Sequence, residues 1–238
     1  MKVEIWSDVA CPFCYIGKRH FEKALEQFAD NKQVEIEWKS YLLDPDYAYN
    51  PEKPETETEY IAKRKDISHD EARQMFASIT RMASMAGLNY DFDKVIVANT
   101  TDAHKIIQFA KTKGLGDKAE ERFFQAFFVK GENLNETETL MSIGQEIGLT
   151  ETEASEALTS DKYAYEVNSD IQEASQIGVR GVPFFVFDRK YAVSGAQPVA
   201  TFLQTLEKSY EEWFAKNQPA QLTNLAEGNV CDIDGNCE

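Results

Sequence analysis

The passage from Val3-Glu4-Ile5-Trp6 through Cys11-Pro12-Phe13-Cys14 into the run Tyr15 to Phe28 constrains this chain more than any other segment. A short apolar strand pattern leads into two cysteines two residues apart. A run follows in which Phe13, Ile16, Gly17, Phe21, Ala24, Leu25 and Phe28 recur at helical spacing. Cys11 falls where an N-cap would be and Pro12 at the first helical position, which tolerates proline because its N–H would be unpaired anyway. The N–H groups of the first turn and the helix dipole then point at the Cys11 sulfur and favour the thiolate, the reactive form. Cys14 lies inside the helix and less exposed, where its sulfur can attack that of Cys11. A C-x-x-C pair at a strand-to-helix junction therefore predicts reversible dithiol–disulfide chemistry, with Cys11 as nucleophile and Cys14 as resolving thiol. A structural disulfide and half of a zinc site compete for the same two residues.

The rest of the chain extends this unit. Val34-Glu35-Ile36-Glu37-Trp38 alternates as a strand does, in a pattern that can reach Leu43 before Asp44-Pro45-Asp46 breaks it. Strand, helix, strand in this order implies parallel pairing and a right-handed crossover. The polar stretch Asn50 to Glu59, with two prolines, reads as a loop. Helices then dominate. Ser68-His69-Asp70-Glu71 is a capping box opening a helix with Ala72, Met75, Phe76, Ile79, Met82 and Ala83 on one face, and Gly87 is its stop. Further helices are expected near 102–113, 117–130 and 138–147, and Thr150-Glu151-Thr152-Glu153 caps another. After a helix near 163–177 the strand pattern returns in Phe184-Phe185-Val186-Phe187. Asp188-Arg189-Lys190 turns it into Tyr191-Ala192-Val193, and a last helix begins near Pro198. The expectation is an α/β fold with a large inserted all-helical subdomain. Residues 1–49 and 162–217 form the discontinuous strand-bearing domain, 50–161 the insert, and 218–238 a polar tail.

The net charge of −16 argues against nucleic acid, which needs clustered lysine and arginine, and against anionic membrane surfaces. Solubility accounts for it. No run approaches the ~18 apolar residues of a membrane span, and Met1 to Asp8 lacks a signal-peptide core. A cytoplasmic location is expected, where thiols are kept mostly reduced. The partners implied are protein or small-molecule thiols and disulfides, with no dissociable cofactor and glutathione as a candidate redox partner; oligomeric state stays open.

Gly181-Val182-Pro183 stands directly before a strand core, where proline cannot donate a ladder hydrogen bond. Combined with the upstream C-P-F-C it predicts a cis Val182–Pro183 bond that turns the Val182 backbone toward an incoming peptide. The order of elements resembles the DsbA branch of the thioredoxin superfamily, in which a helical domain is inserted into a thioredoxin fold. The wording is closer still to the FrnE-like group. The matching phrases are Ser7 to Cys14, Leu43-Asp44-Pro45, Asn99-Thr100 with Ala103-His104, Gly181 to Val186, and Ser194-Gly195-Ala196-Gln197. The resemblance implies dithiol–disulfide exchange through Cys11 and Cys14, support from Pro12 and Phe13, and substrate contact at Pro183 and Val182. Capping and packing account for His104; only its place in a family-like phrase gives it a site-lining role.

The strongly oxidising members carry His before the second Cys, where this chain has Phe13. Phe13 offers no charge to a thiolate, and Asp8 nearby would oppose ionisation. A potential below the about −120 mV of DsbA is therefore expected. Near the C-terminus, Cys231 and Cys237 enclose five residues that include the turn-forming Asp234-Gly235. They read as a second redox pair, a local tail clasp, or part of a zinc site; the resemblance favours the first. Two other functions compete with the oxidoreductase reading. One is the glutathione-dependent chemistry of kappa-class transferases and chromene-carboxylate isomerases, where Ser commonly replaces the first Cys. The other is a non-enzymatic zinc-binding or chaperone-like module.

Overall fold

Strand β1 (Lys2–Ser7) is buried from Val3 to Ser7, as its position inside the sheet requires. In the computed structural model, which describes residues 1–217, a four-stranded sheet runs in the order β2-β1-β3-β4. Helix α1 (Pro12–Gln27) carries the chain from β1 to β2 (Glu35–Ser40). The two strands pair in parallel with Ile5 opposite Trp38, so the expected strand–helix–strand unit is present. Strand β3 (Phe184–Phe187) runs antiparallel to β1, placing Phe185 opposite Ile5, and pairs in turn with β4 (Tyr191–Ser194). The connecting turn holds Asp188 at φ 48° and Arg189 at φ 54°, the left-handed pair that a type I′ turn uses.

The alternation of β1 sorts its side chains into two layers. Val3 and Ile5 meet Phe21 of α1 and Phe202 and Leu206 of α9 (Val199–Asn217) on one face. Trp6 packs with Val186, and with Ala174 of α8 (Asp161–Gln176), on the other. The Trp6 indole N–H donates to the Asp170 carbonyl at 2.9 Å, pinning α8 to the sheet.

Six helices lie between β2 and α8: α2 (Glu57–Lys65), α3 (His69–Met85), α4 (Thr101–Lys111), α5 (Gly116–Phe124), α6 (Thr137–Ile147) and α7 (Glu151–Thr159). The boxes at Ser68 and Thr150 cap α3 and α7 as expected, and Gly87 follows α3 at φ 86°. Two elements depart from the sequence reading. Helix α2 begins inside the stretch expected to be loop, on a third box: the Glu59 N–H donates to Thr56 Oγ1 at 3.3 Å while the Glu59 carboxylate accepts from the Thr56 N–H at 3.0 Å. The helix expected to run to Lys130 widens after Phe124 into a π-helical segment, Gln125–Lys130, closed by Gly131 at φ 67°. Phe123, Phe124, Phe127 and Phe128 are all essentially fully buried, and the wider turn brings Phe128 over Tyr90, with ring centroids 4.7 Å apart.

The helical core is continuous with the start of α1. Cys11, Cys14, Tyr15 and Ile16 belong to the same buried cluster as Phe76, Ile107, Phe124 and Phe128. The C-x-x-C pair thus sits at the seam between sheet and insert. No helix among the described residues is long and apolar enough to cross a membrane.

Candidate active site

Cys11 caps α1 in extended geometry, with Pro12 following at N1. Its N–H donates to the Asp8 carbonyl at 2.9 Å, and its carbonyl accepts from the Cys14 N–H at 3.0 Å. Both cysteines are free thiols, and the two sulfurs lie within hydrogen-bonding reach of each other. Burial, then the neighbouring Cys11 sulfur, raises the Cys14 pKa well above that of an ordinary thiol. Cys11 Sγ lies 3.5 Å from the Val182 carbonyl oxygen, and the Val182–Pro183 peptide bond is cis. Pro12 and Phe13 flank the sulfurs and face the same cavity. The cysteines, Pro12, Phe13 and Val182 are thus brought together at the end of α1, and Pro183 packs against that helix beside Gly17.

Asp8 organises the surroundings. Its carboxylate accepts from the Ala10 N–H at 3.1 Å, the Leu43 N–H at 2.7 Å and the Thr100 hydroxyl at 2.8 Å. One buried acid therefore ties together the loop before Cys11, the exit from β2 and the start of α4. His104 does not line the site as the sequence suggested. It is fully buried, with Nε2 3.5 Å from Asp8 Oδ1, one layer behind the wall that Asp8 and Thr100 form. Its position on the inner face of α4 accounts for this: Ala103, Ile107 and Ala110 around it are equally buried.

A cavity of about 490 Å³ opens over Cys11, a volume in the range of small-ligand sites. Helices α2 and α3 supply its far wall with Tyr60, Ile61, Met75 and Ile79. Sequence reading missed three features of the site. Tyr90 donates its hydroxyl to the Pro12 carbonyl at 2.7 Å, and burial, reinforced by the Cys11 charge, raises its pKa so that it stays a donor. Glu57, only 8% exposed, lines the cavity; burial and then the Asp8 charge push its carboxyl up to about 7. Arg64 reaches the rim, held by Asp44 at 2.9 Å and the Leu43 carbonyl at 3.1 Å. The overlooked Thr56 box could have located Glu57 and Arg64; nothing local marks Tyr90. A larger groove of about 620 Å³ lies along edge strand β2, lined by Trp38, Gln108 and Asp170. Among the described residues it contains no cysteine, and its two lysines pair with its own carboxylates, as Lys39 does with Asp170 at 3.2 Å. Cys231 and Cys237, and with them the tail, lie outside the described residues.

A family model for the DsbA-like thioredoxin domain matches residues 2–207. The chain belongs to the DsbA-like thioredoxin family. A Streptomyces coelicolor protein described as a probable DsbA oxidoreductase superposes with a TM-score of 0.84 at 34% identity, covering 100% of this chain and 98% of its own. YwbO, an uncharacterised protein of Bacillus subtilis, is 29% identical over 77% of this chain and 85% of its own length. The cytosolic disulfide reductase DsbM of Pseudomonas aeruginosa shares the fold, with a TM-score of 0.63 at 16% identity over 89% of this chain and all of its own. DsbM has also been solved with glutathione. In this DsbA-like chain the helical insertion and the mixed sheet meet at the cysteine pair.

Proposed function

We propose that the protein is a thiol–disulfide oxidoreductase in which Cys11 and Cys14 interconvert between dithiol and disulfide. The observation that carries this reading is the pair of free, adjacent sulfurs at the N-terminus of α1, one beside the Val182 carbonyl under an open cavity. In the reductive direction the Cys11 thiolate attacks a substrate disulfide and forms a mixed disulfide. Cys14 then attacks the Cys11 sulfur and releases the second substrate thiol. The oxidising direction is the reverse. The burial that disfavours a Cys14 thiolate suits a resolving thiol, which needs to react only with its neighbour. Val182 and Pro183 hold the substrate, Pro12 and Phe13 shape the sulfur environment, and no dissociable cofactor takes part.

The finer assignments belong to the same reading: a FrnE-like member, active in the cytoplasm on protein or small-molecule thiols and disulfides, with disulfide isomerisation within its chemistry. Glutathione serves as redox partner, and Cys231–Cys237 as a second pair exchanging with the first. Two intact cysteines support it over glutathione-dependent transfer or isomerisation. The test is a redox titration in glutathione buffers, each cysteine's state being read by alkylation and mass spectrometry. Reversible closure of Cys11–Cys14 is expected, and a Cys14→Ser variant should trap a mixed disulfide on Cys11. If the pair never closes and no adduct accumulates on Cys11, the reading is wrong.

A further inference from the structure

The walls and charges of the cavity narrow the class of disulfide that can reach Cys11. The sulfur-bearing residue is only 3% exposed, and the cavity that reaches it is bounded by α2 and α3. A disulfide on the surface of a folded protein would have to enter this space; a small molecule fits within it. Much of the lining is apolar: Phe13 beside the cysteines, and Met75, Phe76, Ile79 and Phe127 elsewhere on the wall.

The polar groups divide into satisfied and unsatisfied. The Asp8 carboxylate is committed to three donors, with His104 behind it. Arg64 is committed to Asp44, to the Leu43 carbonyl and to the Tyr60 hydroxyl. Lys65 lies exposed at the rim. Glu57 is more than nine-tenths buried, faces the cavity, and has no hydrogen bond or ion pair among the described residues. The charges that act on it are Asp8, Glu55 and Arg64. Among the described residues the interior therefore offers an unused carboxyl group and no uncommitted buried cation. Its carboxyl opens to the cavity, so an occupant that displaces the water there is favoured when it supplies a hydrogen-bond partner of its own.

We infer that the site takes a small disulfide with an apolar body, neutral or cationic, that presents a hydrogen-bond donor to Glu57, in preference to anionic peptide disulfides and to disulfides of folded proteins. This rests on the oxidoreductase reading and specifies its substrate class. Oxidised glutathione, which carries net negative charge, then equilibrates the pair without being its preferred substrate. The step balances as a two-electron transfer. The Cys11 thiolate attacks one substrate sulfur, the substrate S–S bond breaks, and one thiolate leaves. Cys14 gives up its proton and attacks Cys11, releasing the second thiolate. The dithiol becomes a disulfide, the substrate becomes two thiols, and both thiol protons end on the products. A dithiol reductant restores the starting state.

The experiment is single-turnover oxidation of the pre-reduced full chain by five probes: N,N′-diacetylcystamine, cystamine, 5,5′-dithiobis(2-nitrobenzoate), oxidised glutathione and insulin. Each rate is divided by the rate of free dithiothreitol with the same probe, which removes intrinsic reactivity. At about pH 8, where the Glu57 carboxyl is mostly ionised, the neutral and cationic probes should exceed the anionic ones and insulin by about tenfold or more, the size of one unfavourable charge contact. Glu57→Gln should shrink the ratio of cystamine to 5,5′-dithiobis(2-nitrobenzoate) by at least roughly threefold. Normalised rates equal across the probes, or a faster reaction with glutathione or insulin, overturn the inference while leaving the oxidoreductase reading intact, provided Cys11–Cys14 closes. If no probe closes the pair, both fall.

Discussion

Replacing Gly17 with Ala tests whether the α1 surface and the Pro183 loop are fitted to each other. In a helix interior the change is worth about 1 kcal/mol of stability, because glycine loses more backbone freedom on folding. Here the new methyl would lie 3.0 Å from Pro183 Cγ and 3.4 Å from Phe185 Cζ. Neither neighbour gives way cheaply. Phe185 is fully buried, 5.5 Å from the Phe21 ring and 4.6 Å from that of Phe202. Pro183 has a rigid ring, and its carbonyl is held by the Gly195 N–H at 2.8 Å. Overpacking of this sort costs about 1–3 kcal/mol, so the net expectation is a loss of roughly 0–2 kcal/mol against the helix gain. Relief comes by moving Pro183, and Val182 moves with it away from its 3.5 Å approach to Cys11 Sγ. Urea unfolding and the rate of disulfide exchange should therefore fall together. A variant more stable by about 1 kcal/mol, as the helix gain alone predicts, with an unchanged exchange rate would refute the packing relation.

Three further outcomes follow from Glu120, Phe13 and Tyr90. Glu120 is fully buried with no hydrogen-bond partner among the described residues. Burial pushes its pKa up to about 7, opposed by His104 and Lys18 and reinforced by Asp117 and Asp8. Its native pKa is raised above the unfolded value, so the contribution is fully present below about pH 4.3 and is lost as pH rises toward 7. Relative to Glu120→Gln, the wild type should lose about 1.4 kcal/mol per pH unit in that window; urea titrations showing a constant difference would reject this. Phe13 brings no charge to the sulfurs, so the wild-type potential should fall below about −120 mV and Phe13→His should raise it; a wild-type value at or above that figure in glutathione titration defeats the reasoning. Tyr90→Phe removes the 2.7 Å bond to the Pro12 carbonyl and should cost about 1 kcal/mol in unfolding measurements; no loss would mean that the bond adds nothing net.

What the sequence made legible was local. The strand before Cys11, the helix after it, and the boxes at Ser68 and Thr150 each follow from residues within one turn of each other. The box at Thr56 was equally visible, but Pro51 and Pro54 just before it outweighed it. The π-helical turn has no such signature, because it arises from burying four phenylalanines at once against Tyr90 and the rest of the helical core. Periodicity placed Met82 on the buried face of α3, yet it is 39% exposed, since the insert covers only part of that stripe. The site itself is assembled over long separations: Tyr90 reaches Pro12 across 78 residues and Val182 meets Cys11 across 171. No window of sequence contains such a contact, and neither the cavity nor the isolation of Glu57 could be inferred without the fold.

The position of the cysteines in the helical core bears on what burial does for the chemistry. A buried thiol and a buried disulfide are both neutral, so removing water penalises neither end state by a charge term. It penalises the thiolate that lies between them. For Cys14 this cost is large and outweighs the Asp8 backbone and the Ser7 hydroxyl, which favour the charged form. On the proposed reading, Cys14 is thus shielded from any disulfide except one on Cys11, which is already adjacent. On the proposed oxidoreductase reading, the helices that close over the site restrict which sulfur reacts and with what, while the groups nearest Cys11, the first turn of α1 and the Val182 carbonyl, are where the balance between dithiol and disulfide is tuned.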